Sequence, residues 1–184
     1  MAEFLLLGLA GPAGVGKTTA ACWIGMSYGF SMLGFADPIR EAALALFPAW
    51  DSRHMCAGKD QVDERVGIAP RHALRVIGDH ARALQPDIYV RALARRVLLA
   101  RNDGAPGAII HDLRMPGEAA WLRAAGGTLI HVQRDGLAFR GDHPTEDGLP
   151  GLPDDCALHN PGTLLGLRAE IDGVLVHIRR RRAA

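Results

Sequence analysis

Phe4 to Leu9 is apolar at almost every position, and a glycine-rich turn follows it. An unbroken apolar run of this length fits a strand covered on both faces, as in a parallel sheet. The spacing then turns helical from about Lys17 to Tyr28, where Gly29 stops it, and Ser31 to Ala36 reads as a second short strand. Asp37-Pro38 reads as a helix N-cap followed by proline at the first helical position, opening a helix to about Phe47. Pro48 to Gly67 has no clear period. From Pro70 to Leu84, Leu74, Ile77, Ala81 and Leu84 fall on one helical face. Pro86 breaks that pattern, and a further helix covers about Asp87 to Ala100. Ala108 to His111 is a strand, Pro116 to Ala125 a helix closed by Gly126-Gly127, and Thr128 to Gln133 another strand. Cys156 to Leu158 is a last short strand. Asn160 is the expected cap of a long helix with Leu164, Leu167, Ile171, Val174 and Ile178 on its apolar face. This alternation predicts an α/β three-layer sandwich, with a mostly parallel sheet of about five strands. No repeat or composition shift marks a second domain, so residues 1–184 read as one.

The turn after the first strand carries the chemistry. Gly11-Pro12-Ala13-Gly14-Val15-Gly16-Lys17-Thr18, with Thr19 next, fits G-x-x-x-x-G-K-[ST] between a strand and a helix. Glycines let the backbone bring its N–H groups close to phosphate, and the helix N-terminus adds partial positive charge. Lys17 is expected to reach the β- and γ-phosphates of ATP, and the Thr18 hydroxyl to hold Mg²⁺. The sandwich is therefore that of a P-loop NTPase. The motif alone does not choose between a kinase, a switch that signals to another protein, and a module that only binds nucleotide.

Composition narrows the partners. The 184 residues carry 21 basic and 20 acidic side chains, a formal net charge of +1. No single-sign field points to nucleic acid or a membrane surface. The run Arg179 to Arg182 has no interleaved aromatics and sits at a helix C-terminus, where cations are favoured anyway. Cys22, Cys56 and Cys156 form neither a disulfide framework nor a C-x-x-C pattern, and His54 with Cys56 is half a metal site at most. Met1-Ala2-Glu3 lacks the basic charge of a secretory leader, and no apolar stretch reaches the roughly 18 residues of a membrane span. The expectation is a soluble, cytoplasmic protein with a small-molecule partner; a homodimer stays open.

Charged groups elsewhere could complete a phosphotransfer site. Asp37 and Arg40 follow the second strand, where sites of open parallel sheets gather; the alternative for Asp37 is a plain helix cap. Arg71 and Arg75 lie four apart on one helix face, with Asp79 four further on; an anion near Arg71 would relieve their repulsion. Asp112 stands just after an apolar strand, where a carboxylate that holds Mg²⁺ would lie, with Arg114 two residues on. Arg134, Arg140, His143 and Glu146 belong to a Gly/Pro-rich segment, 134–155, suited to closing over phosphates.

Taken in order, these blocks resemble the phage-type deoxynucleoside monophosphate kinases, a branch of the P-loop kinases. The resemblance covers the P-loop, Phe35-Ala36-Asp37-Pro38-Ile39-Arg40-Glu41 and Ala69-Pro70-Arg71-His72-Ala73-Leu74-Arg75-Val76-Ile77-Gly78. It continues through Ile109-Ile110-His111-Asp112-Leu113-Arg114-Met115-Pro116-Gly117-Glu118-Ala119, His143-Pro144-Thr145-Glu146 and Asn160-Pro161-Gly162-Thr163-Leu164. It implies transfer of the ATP γ-phosphoryl group to a (deoxy)nucleoside 5′-monophosphate with Mg²⁺. It also implies Asp37 and Arg71 at the monophosphate, Asp112 and Arg114 between the two nucleotides, an acceptor-binding helical region over about 37–101, and a lid after Arg134. Ala69 stands where the family carries Ser or Thr, and Met115 and Gly117 where it carries Phe and Asn. A kinase of another small acceptor, such as dephospho-coenzyme A, is the nearest alternative.

Overall fold

A computed structural model describes residues 3–55, 58–137 and 149–183. Cys56, Arg140, His143, Pro144, Thr145 and Glu146 lie outside the described residues, as does half of the predicted lid, 138–148.

Five strands, β1 (Leu5–Ala10), β2 (Ser31–Leu33), β3 (Gly107–Ile110), β4 (Thr128–Gln133) and β5 (Cys156–His159), form one sheet in the order β2-β3-β1-β4-β5. Every pairing is parallel, with Leu7 of β1 beside Ile109 on one side and Thr128 on the other. The helices are α1 (Lys17–Tyr28), α2 (Asp37–Leu46), α3 (Pro70–Leu84), α4 (Ile88–Asn102), α5 (Pro116–Ala124) and α6 (Leu164–Ala183). Strand β1 is buried along its whole length, as its unbroken apolar run required.

The two-residue period of β1 sorts the layers. Leu5, Leu7 and Leu9 pack with Ala20, Ala21 and Ile24 of α1 and with Leu167, Ile171 and Leu175 of α6. Gly8 faces the other way, toward Leu113 and toward Leu122 of α5. Helices α1 and α6 therefore cover one face and α5 the other. Burying a leucine such as Leu7 or Leu9 fully contributes about 1.5–3 kcal/mol each. A Cβ at Gly8 would lie 2.3 Å from a Leu113 methyl and 2.6 Å from a Leu122 methyl. Gly8→Ala is expected to cost about 1–3 kcal/mol by overpacking. A urea midpoint lowered at unchanged slope would report it, and an unchanged midpoint would contradict it.

The chain divides into two compact units, Met1–Gly34 with Arg96–Ala184, and Phe35–Arg95. The second has its own cluster: Ala43, Trp50, Met55 and Ala73, flanked by Leu44, Phe47, Leu74 and Ile77. Residues 58–69 before α3 make turns closed by an antiparallel bridge between Asp63 and Ile68.

Three local expectations need correction. Asp37 is not a cap: the N-cap of α2 is Ala36, Asp37 is the first helical residue, and its carboxylate pairs with Arg40 at 2.9 Å. Asn160 does not cap α6, which starts four residues later, where the Thr163 hydroxyl accepts the Gly166 N–H at 3.2 Å. Leu84 and Leu164, assigned to apolar faces, are 85% and 61% exposed, because each sits in a terminal turn beyond the packed stretch of its helix. As Ala69 implied, α3 lacks a side-chain cap.

Three of the four terminal arginines are held by the fold. Arg181 pairs with Asp154 at 2.7 Å, Arg182 with Glu3 at 3.1 Å, and Arg179 lies over the Tyr28 ring.

Candidate active site

Successive elements leave β1 and β3 toward opposite faces, α1 on one and α5 on the other. The carboxyl ends of these neighbouring strands form a switch point, the kind of place where open α/β sheets take ligands. The P-loop lies at the end of β1, and Asp112 and Arg114 at the end of β3.

The P-loop needs its glycines for backbone reasons. Gly11, Gly14 and Gly16 have φ of 144°, 77° and 107°, values that side chains resist. Val15 turns inward and is fully buried in the core beneath the loop. Ala13, Gly14, Thr18 and Thr19 stay exposed. The first turn of α1 has no acidic residue, so no local carboxylate opposes an anion at its N-terminus.

Lys17 Nζ donates to the Gly11 and Pro12 carbonyls at 2.6 and 2.7 Å, so the ammonium is held across the loop. Burial, and next the Arg114 guanidinium, lower its pKa from 10.5 to about 8, while Asp112 pulls it upward. Lys17, Asp112 and Arg114 are thus one electrostatic group. Asp112 is 6% exposed. Strand β3 is pinned just before it by the His111 N–H on the Leu33 carbonyl at 3.2 Å. The turn after it is set by buried Glu118, whose Oε2 accepts the Arg114 and Met115 N–H groups at 2.9 and 3.0 Å.

No cluster of three or more His, Cys, Asp or Glu able to hold a metal exists among the described residues. The Thr18 hydroxyl and the Asp112 carboxylate are hard oxygen donors too few to cage an ion alone. That set fits Mg²⁺, which is commonly held by one or two protein oxygens together with substrate phosphates.

Arg134 follows β4 directly, with its guanidinium against the β5–α6 turn; a Cβ on Gly162 would sit 3.3 Å from Nη2. Beside Gly11 and Pro12 a cavity of about 570 Å³ runs between the ends of β4 and β5, lined by His131, Gln133, Arg134, Cys156 and His159 among others. Asp155 braces its wall, accepting from Arg123 at 2.6 Å and lying 3.0 Å from His131 Nε2.

Asp37, Arg40 and Arg71 belong to the second unit. Asp37 and Arg40 form their own ion pair. The Arg71 guanidinium pairs with Asp60 through both Nε and Nη2, and the Arg71 N–H donates to the Lys59 carbonyl at 2.7 Å. Asp79 pairs with Arg82 at 3.5 Å. Sequence reasoning missed Glu118 and Asp60 as partners of the candidate arginines. Only the i, i+4 spacing of Arg114 and Glu118 hinted at the first.

Fold and site together define a P-loop nucleotide-binding protein. The sequence profile for deoxynucleotide monophosphate kinase matches residues 76–171. A protein of Acanthamoeba polyphaga mimivirus described as a "putative deoxynucleotide monophosphate kinase" is 31% identical over 175 residues, 87% of this chain and 90% of its own length. The deoxynucleotide monophosphate kinase of Enterobacteria phage T4 is 36% identical over 87 residues, 47% of this chain and 36% of its own. Among solved structures, TT1252 from Thermus thermophilus superposes with a TM-score of 0.51 at 21% identity, covering 95% of this chain and 98% of that one, a likeness of fold. The chain belongs to the deoxynucleotide monophosphate kinase family.

Proposed function

We propose that this protein transfers the γ-phosphoryl group of ATP to a deoxynucleoside 5′-monophosphate, giving the diphosphate and ADP. The grouping of Lys17, Asp112 and Arg114 at the mouth of the P-loop is the observation that carries the reading. In it, the P-loop amides and Lys17 hold the β- and γ-phosphates. The cavity beside Gly11 and Pro12, of the size of a small-ligand site, takes the nucleoside part of ATP. Thr18 and Asp112 hold Mg²⁺, which when bound neutralises charge on the phosphate oxygens. Arg114 and Arg134 stabilise charge on the transferring group. Asp37, Arg40 and Arg71 bind the acceptor.

Phosphoryl transfer needs positioning and charge neutralisation more than a strong base. The acceptor phosphate oxygen attacks γ-phosphorus, the bond to the β–γ bridging oxygen breaks, and ADP leaves with that oxygen. Lys17 must exchange its two carbonyl partners for phosphate oxygens, a gain because charge-assisted bonds to an anion are stronger.

A coupled ADP-release assay with ATP, Mg²⁺ and each common deoxynucleoside or ribonucleoside monophosphate tests the reading. Turnover stimulated by one or a few monophosphates supports it. ATP binding without stimulation by any of them sinks it.

Arg71 carries a further expectation. The Arg71 guanidinium beside Asp60 holds that carboxyl below its usual range, and Lys59 and Arg75 act in the same direction. Asp60 thus occupies the cation that the reading assigns to the acceptor phosphate. Exposed pairs of this kind are weak and readily exchanged for another anion. Asp60→Asn is therefore expected to lower the acceptor KM about two- to fivefold at unchanged kcat. A raised KM would mean instead that Asp60 orients Arg71 for its ligand.

A further inference from the structure

Asn160 is 145 residues from the P-loop in sequence yet bonded to it in space. It is 6% exposed and uses its hydrogen-bonding groups on three segments. Its backbone N–H donates to the Gln133 carbonyl at 2.7 Å, at the end of β4 and next to Arg134. Its Nδ2 donates to the Val15 carbonyl at 2.7 Å, and its Oδ1 accepts the Gly162 N–H at 2.9 Å. These partners fix which amide atom is which. A flipped side chain would set oxygen against the Val15 oxygen and NH₂ against the Gly162 N–H.

We propose that Asn160 is a positioning residue that aims the Gly16 amide of the P-loop at the phosphates of a bound nucleotide. The Val15 carbonyl and the Gly16 N–H belong to one planar trans peptide, so they point in opposite directions. Fixing the carbonyl on Asn160 fixes the N–H on the side away from it. The clamp matters because the backbone there is soft: Gly14 and Gly16, with φ of 77° and 107°, flank the residue whose carbonyl is held. Gly16 must also lack a side chain for Asn160 to reach, since a Cβ there would lie 2.6 Å from Nδ2. Through Gln133 and Gly162 the same residue secures the segment carrying Arg134. This rests on the P-loop binding a nucleoside triphosphate and is independent of the acceptor.

The test is titration of the full chain with MgATP and MgADP by calorimetry, for wild type, Asn160→Ala and Asn160→Asp. The Asp variant keeps the acceptor for Gly162 but turns an oxygen toward the Val15 carbonyl. Both variants are expected to bind MgATP about tenfold or more weakly, the scale of one well-aimed donor, while the acceptor KM holds. The Gly16 amide resonance, displaced by MgADP in the wild type, is expected to move less in both. Folded variants that bind MgATP within twofold of wild type would overturn the proposal. If neither variant folds, the wild type decides. The Asn160 side-chain amide protons should exchange slowly and shift together with the Gly16 amide on adding MgADP; exchange as fast as a surface amide would overturn it. A wild-type chain that binds no MgATP would overturn both this inference and the P-loop reading beneath it, a result distinct from weakened binding in the variants alone.

Discussion

Lys17→Ala is expected to lower kcat/KM for ATP by about 10³-fold, the upper range for removing one preorganised donor from developing charge. Its accompanying signature is a change in pH dependence. In the wild type the ammonium has a pKa of about 8, lowered first by burial and then by Arg114. Only the protonated form attracts phosphate. As pH rises through 8 the free enzyme loses that charge, so kcat/KM for ATP should fall toward tenfold per pH unit, reporting a group of the free enzyme. An ordinary lysine near 10.5 would leave the profile flat to about pH 9.5. Lys17→Ala should have no alkaline limb near pH 8. A wild-type profile flat to about pH 9.5 would show instead that the Lys17 pKa is not lowered in the free enzyme.

The P-loop was legible because its requirement is local. Its glycines and the lysine at the start of α1 form one contiguous eight-residue motif, recognisable without knowing what the fold brings beside it. The strand–helix alternation was legible for the same reason, down to the limits of α1 and β4. Illegible were bonds from one side chain to a distant backbone, because they leave no period. Asn160 before Pro161 has the local signature of a cap, and only the return of β5 beside β4 brings it to Val15. Glu118 resembled any acidic residue in a first helical turn, yet it is buried and holds the Arg114 turn. Asp37 looked like a cap because Asp-Pro commonly opens helices; here the helix begins one residue earlier in phase and frees its carboxylate for Arg40. Contiguous motifs and periodic faces were readable, and single side-chain bonds, near or distant along the chain, were not.

Asp112→Asn should produce the second large loss, about 10²–10³-fold in kcat/KM, from a change that preserves shape. Asp112 is buried beside Lys17, and it is the group that raises the Lys17 pKa against burial and Arg114. The neutral amide removes a hard anionic oxygen from the proposed Mg²⁺ site, so the variant should need more Mg²⁺ for half-maximal rate. It also leaves Lys17 with Arg114 and without its opposing charge. The Lys17 pKa must then move down, and the alkaline limb of kcat/KM for ATP should shift to lower pH. A carboxylate that served only to hold the strand end would alter stability and leave that limb in place. A loss of rate with an unmoved limb would therefore separate Asp112 from Lys17, and an unmoved limb at unchanged Mg²⁺ requirement would remove Asp112 from the proposed site.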